Sequence, residues 1–195
     1  MKRITILLSA AAIVVATPSY AAAGDLQIEA QAAMLSPDDW VWNDDGARGP
    51  LSIVVSLPDQ RAYVYRGKRM IAVSSISTGR DGKETPVGVF PILQKQVHHK
   101  STLYDSAPMP YMERLTWDGV ALHAGSTPGY RNSHGCVHLP TAFAKKLYGE
   151  TTVGTVVQVT DASVVATDPS MLPPDPAVDQ QETAAANATV LASAD

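Results

Sequence analysis

Cysteine is the scarcest reactive residue in this chain of 195: there is one, Cys136. A single thiol forms no intrachain disulfide and excludes a four-thiolate zinc site. Phenylalanine is nearly as rare, with two copies. Basic excess is missing as well, since 15 Lys plus Arg stand against 19 Asp plus Glu, a formal charge of −4. That balance argues against broad binding to nucleic-acid phosphates. Turn chemistry, by contrast, is abundant. Fourteen Pro and 13 Gly argue for turns and short strands over a helical bundle. Hydrophobic residues, at 45%, suffice to fill the core of one domain.

Lys2 and Arg3 precede an apolar run at 4–16, interrupted only by Thr5 and Ser9. Pro18 breaks it, and Ala21 and Ala23 offer small residues for cleavage. The pattern predicts a secretory signal peptide at 1–23, with no lipid anchor because no cysteine follows the run. The run is shorter than the roughly 20 apolar residues of a membrane anchor, and no later stretch could span a bilayer. Without 1–23 the chain keeps 13 basic and 19 acidic residues, a charge of −6. Residues 161–195 hold six of those acids and no Lys, Arg or aromatic residue, with Pro169, Pro173, Pro174 and Pro176 ahead of an Ala-rich stretch. This composition predicts a disordered acidic tail. Residues 24–49 read as a separate N-terminal segment, with Trp40 and Trp42 among Asp38, Asp39, Asp44 and Asp45.

Regular patterning is confined to 50–160. Leu51, Ile53, Val55 and Leu57 alternate with Ser52, Val54 and Ser56. Pro58-Asp59-Gln60 turns the chain into Ala62-Tyr63-Val64-Tyr65, and Arg66-Gly67-Lys68 turns it into Met70-Ile71-Ala72-Val73. These predict antiparallel hairpins. Val87, Val89 and Ile92 suggest a strand that Pro91 confines to an edge or a bulge. Asp118-Gly119 predicts a turn before Val120-Ala121-Leu122-His123. A helix is predicted over 140–148, with Phe143 and Leu147 one turn apart and Gly149 as its stop. Residues 155–159 read as a closing strand.

Cys136 falls in Ser133-His134-Gly135-Cys136-Val137-His138. A lone buried cysteine can be a mere small hydrophobe. Against that stand Gly135, which permits close approach of a ligand, the histidines 123, 134 and 138, and the predicted helix just downstream. A nucleophilic thiol needs its pKa lowered from about 8.5, and an imidazole or helix N-terminal amides can do this. His134, Cys136 and His138 also alternate, so with His123 they could instead hold a metal. His98-His99 reads as a solvated loop pair, and Tyr111 and Trp117 as core or cleft walls. Arg80 and Arg131 are candidates for substrate carboxylates, although solvated arginines are the commoner outcome.

Taken together these motifs resemble the L,D-transpeptidase catalytic domain (YkuD-type). His123-Ala124 and Ser133-His134-Gly135-Cys136-Val137-His138 match the family's His-Gly-like dipeptide followed, after a loop, by Ser/Thr-His-Gly-Cys-apolar-Arg/Asn. Ser77-Thr78-Gly79-Arg80, Thr85-Pro86-Val87-Gly88-Val89-Phe90 and Met109-Pro110-Tyr111 are similar to its upstream segments. The chain departs at His138, where the family carries Arg or Asn, at Ala124, and in a nine-residue connection at 124–132. The resemblance implies a mainly β, sandwich-like fold with one or two short helices, and a periplasmic peptidoglycan cross-linking enzyme without cofactor or metal. It gives Cys136 the nucleophile's role and His123 the base's, with the Ala124 carbonyl orienting His123 and Ser133 supporting the loop. Amides of His134, Gly135 and Cys136 would hold the oxyanion, and Tyr111, Arg131 and His138 would touch substrate. Its partners would be stem peptides, with a stem amine, a D-amino acid, an outer-membrane protein or water as acceptor. With water the enzyme would be an endopeptidase or carboxypeptidase.

Overall fold

A computed structural model describes Ile28 and residues 30–164. The predicted signal peptide and all but the first four residues of the predicted tail lie outside these residues. Ten strands and one ten-residue helix follow one another in the order β1 Trp40–Trp42, β2 Leu51–Ser56, β3 Arg61–Arg66, β4 Arg69–Ser75, β5 Gly88–Pro91, β6 Gln94–Gln96, β7 Met112–Arg114, β8 Ala121–Ala124, β9 Val137–Leu139, α1 Thr141–Glu150 and β10 Val156–Thr160. Ile28 and residues 30–34 are also helical. No helix among the described residues is long and apolar enough to cross a membrane.

The strands form two sheets. The larger has the order β1-β4-β3-β2-β10-β5, the smaller β6-β7-β8-β9. The hairpins read from residues 51–73 are the antiparallel β2–β3 and β3–β4 pairs. Pro91 falls on β5, an edge strand, where its missing N–H costs no ladder bond. β1 joins the other edge, with Val41 opposite Val73, so Trp40 and Trp42 belong to the main sheet. Both rings pack on Phe143 of α1, with centroids 5.8 and 5.9 Å away.

Period-two alternation explains the burial. Ile53, Val55, Val64 and Ile71 face one core, shared with Leu122, Val137 and Leu139 of the small sheet and with Phe143 and Leu147 of α1. Val54, Tyr63, Tyr65 and Val73 face the opposite side, where Ile28 and Ala32 cover them. The central strands are thus apolar on both faces.

Gly149 does not stop α1, which runs on to Glu150. The last carbonyls are held from outside instead. Lys95 of β6 donates to Tyr148 O at 2.7 Å and Thr151 O at 2.6 Å. This ammonium also lies 3.5 Å from the buried Glu113 carboxylate, its register partner on β7. A cation at a helix C-terminus offsets the dipole and satisfies carbonyls that lack partners. The smaller sheet is thereby tied to the end of α1.

Candidate active site

Two pairings are parallel, and the second positions the site. β10 runs beside β2, and β8 runs beside β9 with His123 opposite His138. Cys136 immediately precedes β9. The thiol is largely covered and donates to Gly119 O at 3.5 Å.

The loop carrying Cys136 is braced by the motifs upstream. Ser133 N donates to Thr78 O at 3.0 Å, and Arg80 N to Ser133 O at 3.1 Å. Thr85 Oγ1 donates to Gly135 O and accepts from Gly79 N, both at 2.9 Å. Buried Gln60 accepts from Thr78 N at 3.0 Å and donates to Thr78 Oγ1 at 2.7 Å. Inside the loop, Ser133 Oγ donates to Cys136 O and accepts from Gly135 N at 3.1 Å. Gly135 has φ +114°, a backbone state that disfavours any side chain. These bonds fix the loop from both sides, so the thiol's place is set before any ligand arrives.

His123 is buried. Its Nδ1 lies 2.8 Å from Ala124 O, a geometry that makes Nδ1 the donor and leaves Nε2 unprotonated. His138 meets it edge to face with ring centroids 4.7 Å apart. Gly125 lies flat on the His138 ring, where a Cβ would come within 2.8 Å of Cγ. His138 Nδ1 is buried and has no hydrogen-bond partner among the described residues.

Burial, helped by the neighbouring His138, pushes His123 down to about 4. Burial likewise pushes His138 down and the Cys136 thiol up. The expectation of a thiolate stabilised by helix amides is therefore corrected. Four residues, Val137 to Pro140, separate Cys136 from α1, and desolvation outweighs the favourable contributions.

Cys136, His123, Ala124, His134, Gly135 and His138 all line one cavity of about 280 Å³. One side of it comes from residues 99–109, between β6 and β7, through His99, Leu103, Tyr104 and Met109 among others. Two residues predicted to touch substrate lie elsewhere. Tyr111 packs on Tyr148 at 5.9 Å, and Arg131 is exposed; neither lines the cavity. The metal alternative fails too, since no group of three or more His, Cys, Asp or Glu among the described residues could hold an ion. His134 is instead 3.0 Å from Arg80 Nη2 and stacked against Tyr104 at 4.8 Å. Reading the sequence missed Arg114 and His99, which both line the cavity. The available signal was Glu113-Arg114, two opposite charges set between the apolar Met112 and Leu115.

The family profile of the L,D-transpeptidase catalytic domain (YkuD) matches residues 50–159. The chain belongs to that family. A search of curated proteins found no match. Among solved structures, an L,D-transpeptidase from Stackebrandtia nassauensis is 30% identical, with TM-score 0.53, over 68% of this chain and 64% of its own. A cysteine-to-serine mutant of an Enterococcus faecium L,D-transpeptidase is 28% identical, with TM-score 0.51, over 58% of this chain and 50% of its own. An L,D-transpeptidase solved in complex with imipenem is 25% identical, with TM-score 0.53, over 56% and 58%. The chain thus spans between one half and two thirds of these relatives.

Proposed function

We propose that the protein is an exported peptidoglycan L,D-transpeptidase working through a thioester on Cys136. The observation that carries this reading is the shared cavity of the chain's sole thiol and of His123, whose Nδ1 is tied to Ala124 O. Cys136 Sγ attacks the carbonyl of a diaminopimelate residue in a stem peptide. As the S–C bond forms, the thiol proton passes to His123 Nε2 and then to the departing amine of the terminal D-alanine. An amine of a second stem attacks the thioester, its proton passes to His123, and the thiolate leaves and is reprotonated.

The low basicity of His123 and the high thiol pKa mean that proton transfer accompanies attack, rather than preceding it as a standing ion pair. The Ala124 carbonyl holds the tautomer and supports the transient imidazolium, as the third member of a triad would. Gly135 N–H is engaged by Ser133, so the amides of His134 and Cys136 serve the oxyanion. The pattern at 1–23 supports export to the periplasm, where a transpeptidation that conserves bond energy in a thioester needs no nucleotide. The similar enzyme solved with imipenem makes a carbapenem a suitable acylating probe.

Incubating the purified protein with sacculi and analysing muropeptides by mass spectrometry tests the reading. New dimers linked between diaminopimelate residues support it. Shortened monomers alone would reassign the enzyme as a hydrolase using the same thiol, and unchanged muropeptides would refute the assignment.

A further inference from the structure

Arg114 of β7 reaches the cavity wall with its charge uncompensated. Its Nε donates to Gln94 Oε1 at 2.9 Å. Its Nη2 lies 3.4 Å from His99 Nε2, while His99 Nδ1 lies 2.6 Å from Gln96 Oε1. The Gln96 oxygen can only accept, so His99 donates from Nδ1 and accepts from Arg114 at Nε2. Partial burial and the Arg114 charge both hold His99 below its usual range, which keeps it a neutral acceptor. Trp117 flanks the guanidinium, 5.8 Å from its Cζ.

Every partner of Arg114 is therefore neutral. No ion pair involves it among the described residues, Asp118 on the same cavity wall included. Gln94 and His99 occupy one edge of the guanidinium. The Nη1 amine and the second Nη2 hydrogen remain, a two-pronged donor matched to a carboxylate. A structural arginine in a half-buried site is ordinarily paired with an acid. Here the geometry is fixed by neutral side chains and the charge is left for a ligand.

We propose that Arg114, oriented by Gln94 and His99, binds a carboxylate of the acyl donor and selects donors that carry it. This rests on the transpeptidase reading and names the substrate feature it recognises. Of the stem's free carboxylates, the two on the residues that flank the scissile bond could supply the group: that of the leaving D-alanine, and that on the D-centre of diaminopimelate. Both are neutralised by amidation, so the source can be read directly.

The test uses the full chain and three synthetic tetrapeptide donors: the free acid, one amidated at the terminal D-alanine, and one amidated at the diaminopimelate side chain. Acyl-enzyme formation is followed by intact mass, and KM is separated from kcat. A charge-assisted pair contributes about 10- to 100-fold in kcat/KM. The wild-type protein should prefer the free acid over one amidated donor by that factor, mainly through KM. Arg114→Gln should abolish the preference, Arg114→Lys should restore part of it, and His99→Gln should weaken it. The amidated donor that loses the preference identifies the carboxylate. If Arg114→Gln slowed all three donors equally, the residue would be structural and the proposal overturned. If the wild-type protein formed an adduct with a carbapenem but treated the three donors alike, the subsite would fail while the nucleophile stood. If Cys136 formed no adduct with any of these reagents, the transpeptidase reading itself would fail.

Discussion

Strands β2 to β4 and strands β7 to β9 share an apolar core but differ in the polar groups they bury, the hydroxyls of Ser56, Ser74 and Ser75 in the first and ionisable side chains in the second. The first group buries aliphatic and aromatic side chains on both faces, with Ile53, Val55, Val64 and Ile71 on one side and Val54, Tyr63 and Val73 on the other. The second group buries Glu113, His123 and, in the adjoining loop, Ser133. Hydrophobic burial needs only area and shape, whereas a buried polar group needs a placed partner. Some of these partners come from distant chain, Lys95 and Thr151 for Glu113 and Thr78 for Ser133, and others are local, Ala124 for His123 and Cys136 for Ser133. Strands β7 to β9 thus carry buried ionisable groups that need placed partners, where β2 to β4 bury hydroxyls beside their apolar side chains.

That division can be broken at either end. Cys136→Ser should give the largest effect, a complete loss of acylation with the unfolding midpoint nearly unchanged. A serine hydroxyl is far less acidic than a thiol, and so weak an imidazole base cannot activate it. Intact-protein mass after incubation with a carbapenem reads the first outcome, and thermal unfolding the second.

His123→Ala should slow acylation by about 100-fold or more, the usual contribution of a general base. Substitution on the large sheet should do the reverse. Ile53→Ala removes a side chain with no exposed surface and should cost about 2–5 kcal/mol of stability. Acylation per folded molecule should stay normal. Urea unfolding combined with single-turnover kinetics separates the two quantities, and a slowed acylation in folded Ile53→Ala would dissolve the division.

Smaller effects sharpen the account within the site. His138 is the direct cross-strand neighbour of His123, yet its Nδ1 has no hydrogen-bond partner among the described residues. His138→Ala should keep acylation within about tenfold, well short of the loss of a general base, and change mainly substrate preference. A loss equal to that of His123→Ala would make the two histidines one catalytic unit.

The pH dependence follows from burial. With His123 at about 4 and the thiol above its ordinary 9.0, acylation should be nearly flat from pH 5 to 8, an interval set by those two limits. Below it the rate should fall as His123 is protonated. A standing thiolate–imidazolium pair would give a bell within that interval. Stability moves in the same direction. The folded pKa of His123 lies below its unfolded value of 6.5, so the unfolded chain binds the proton first and stability declines as pH falls from 6.5 toward 4. The shift corresponds to roughly 3 kcal/mol at most. His123→Ala should flatten that decline in unfolding experiments.

Most of the large sheet was legible because its information is local. The alternation at 51–57 and the turns at Pro58 and Gly67 need no distant partner, and Pro91 announces an edge wherever its strand lies. Cys136 and His123 were legible through motif and chemistry. Pairing of β10 with β2, and of β8 with β9, was not, because parallel register is set by long-range packing. Gly149 misled for a related reason: Lys95, more than fifty residues earlier, holds the carbonyls of the last turn. Arg114 and His99 stayed hidden because a polar residue in a short strand or a loop looks solvated until the sheet and the cavity are assembled. Tyr111, a motif residue, packs on Tyr148, as its reading as a core or cleft wall had it.

The most direct measurement is the mass of the full chain after brief mixing with a tetrapeptide donor ending in D-alanine, followed by peptide mapping. The account predicts a gain equal to the stem peptide less D-alanine, on the peptide containing Cys136, strongly slowed in His123→Ala and lost on adding an acceptor amine. An adduct on any other residue, or release of D-alanine by Cys136→Ser at the wild-type rate, would contradict it.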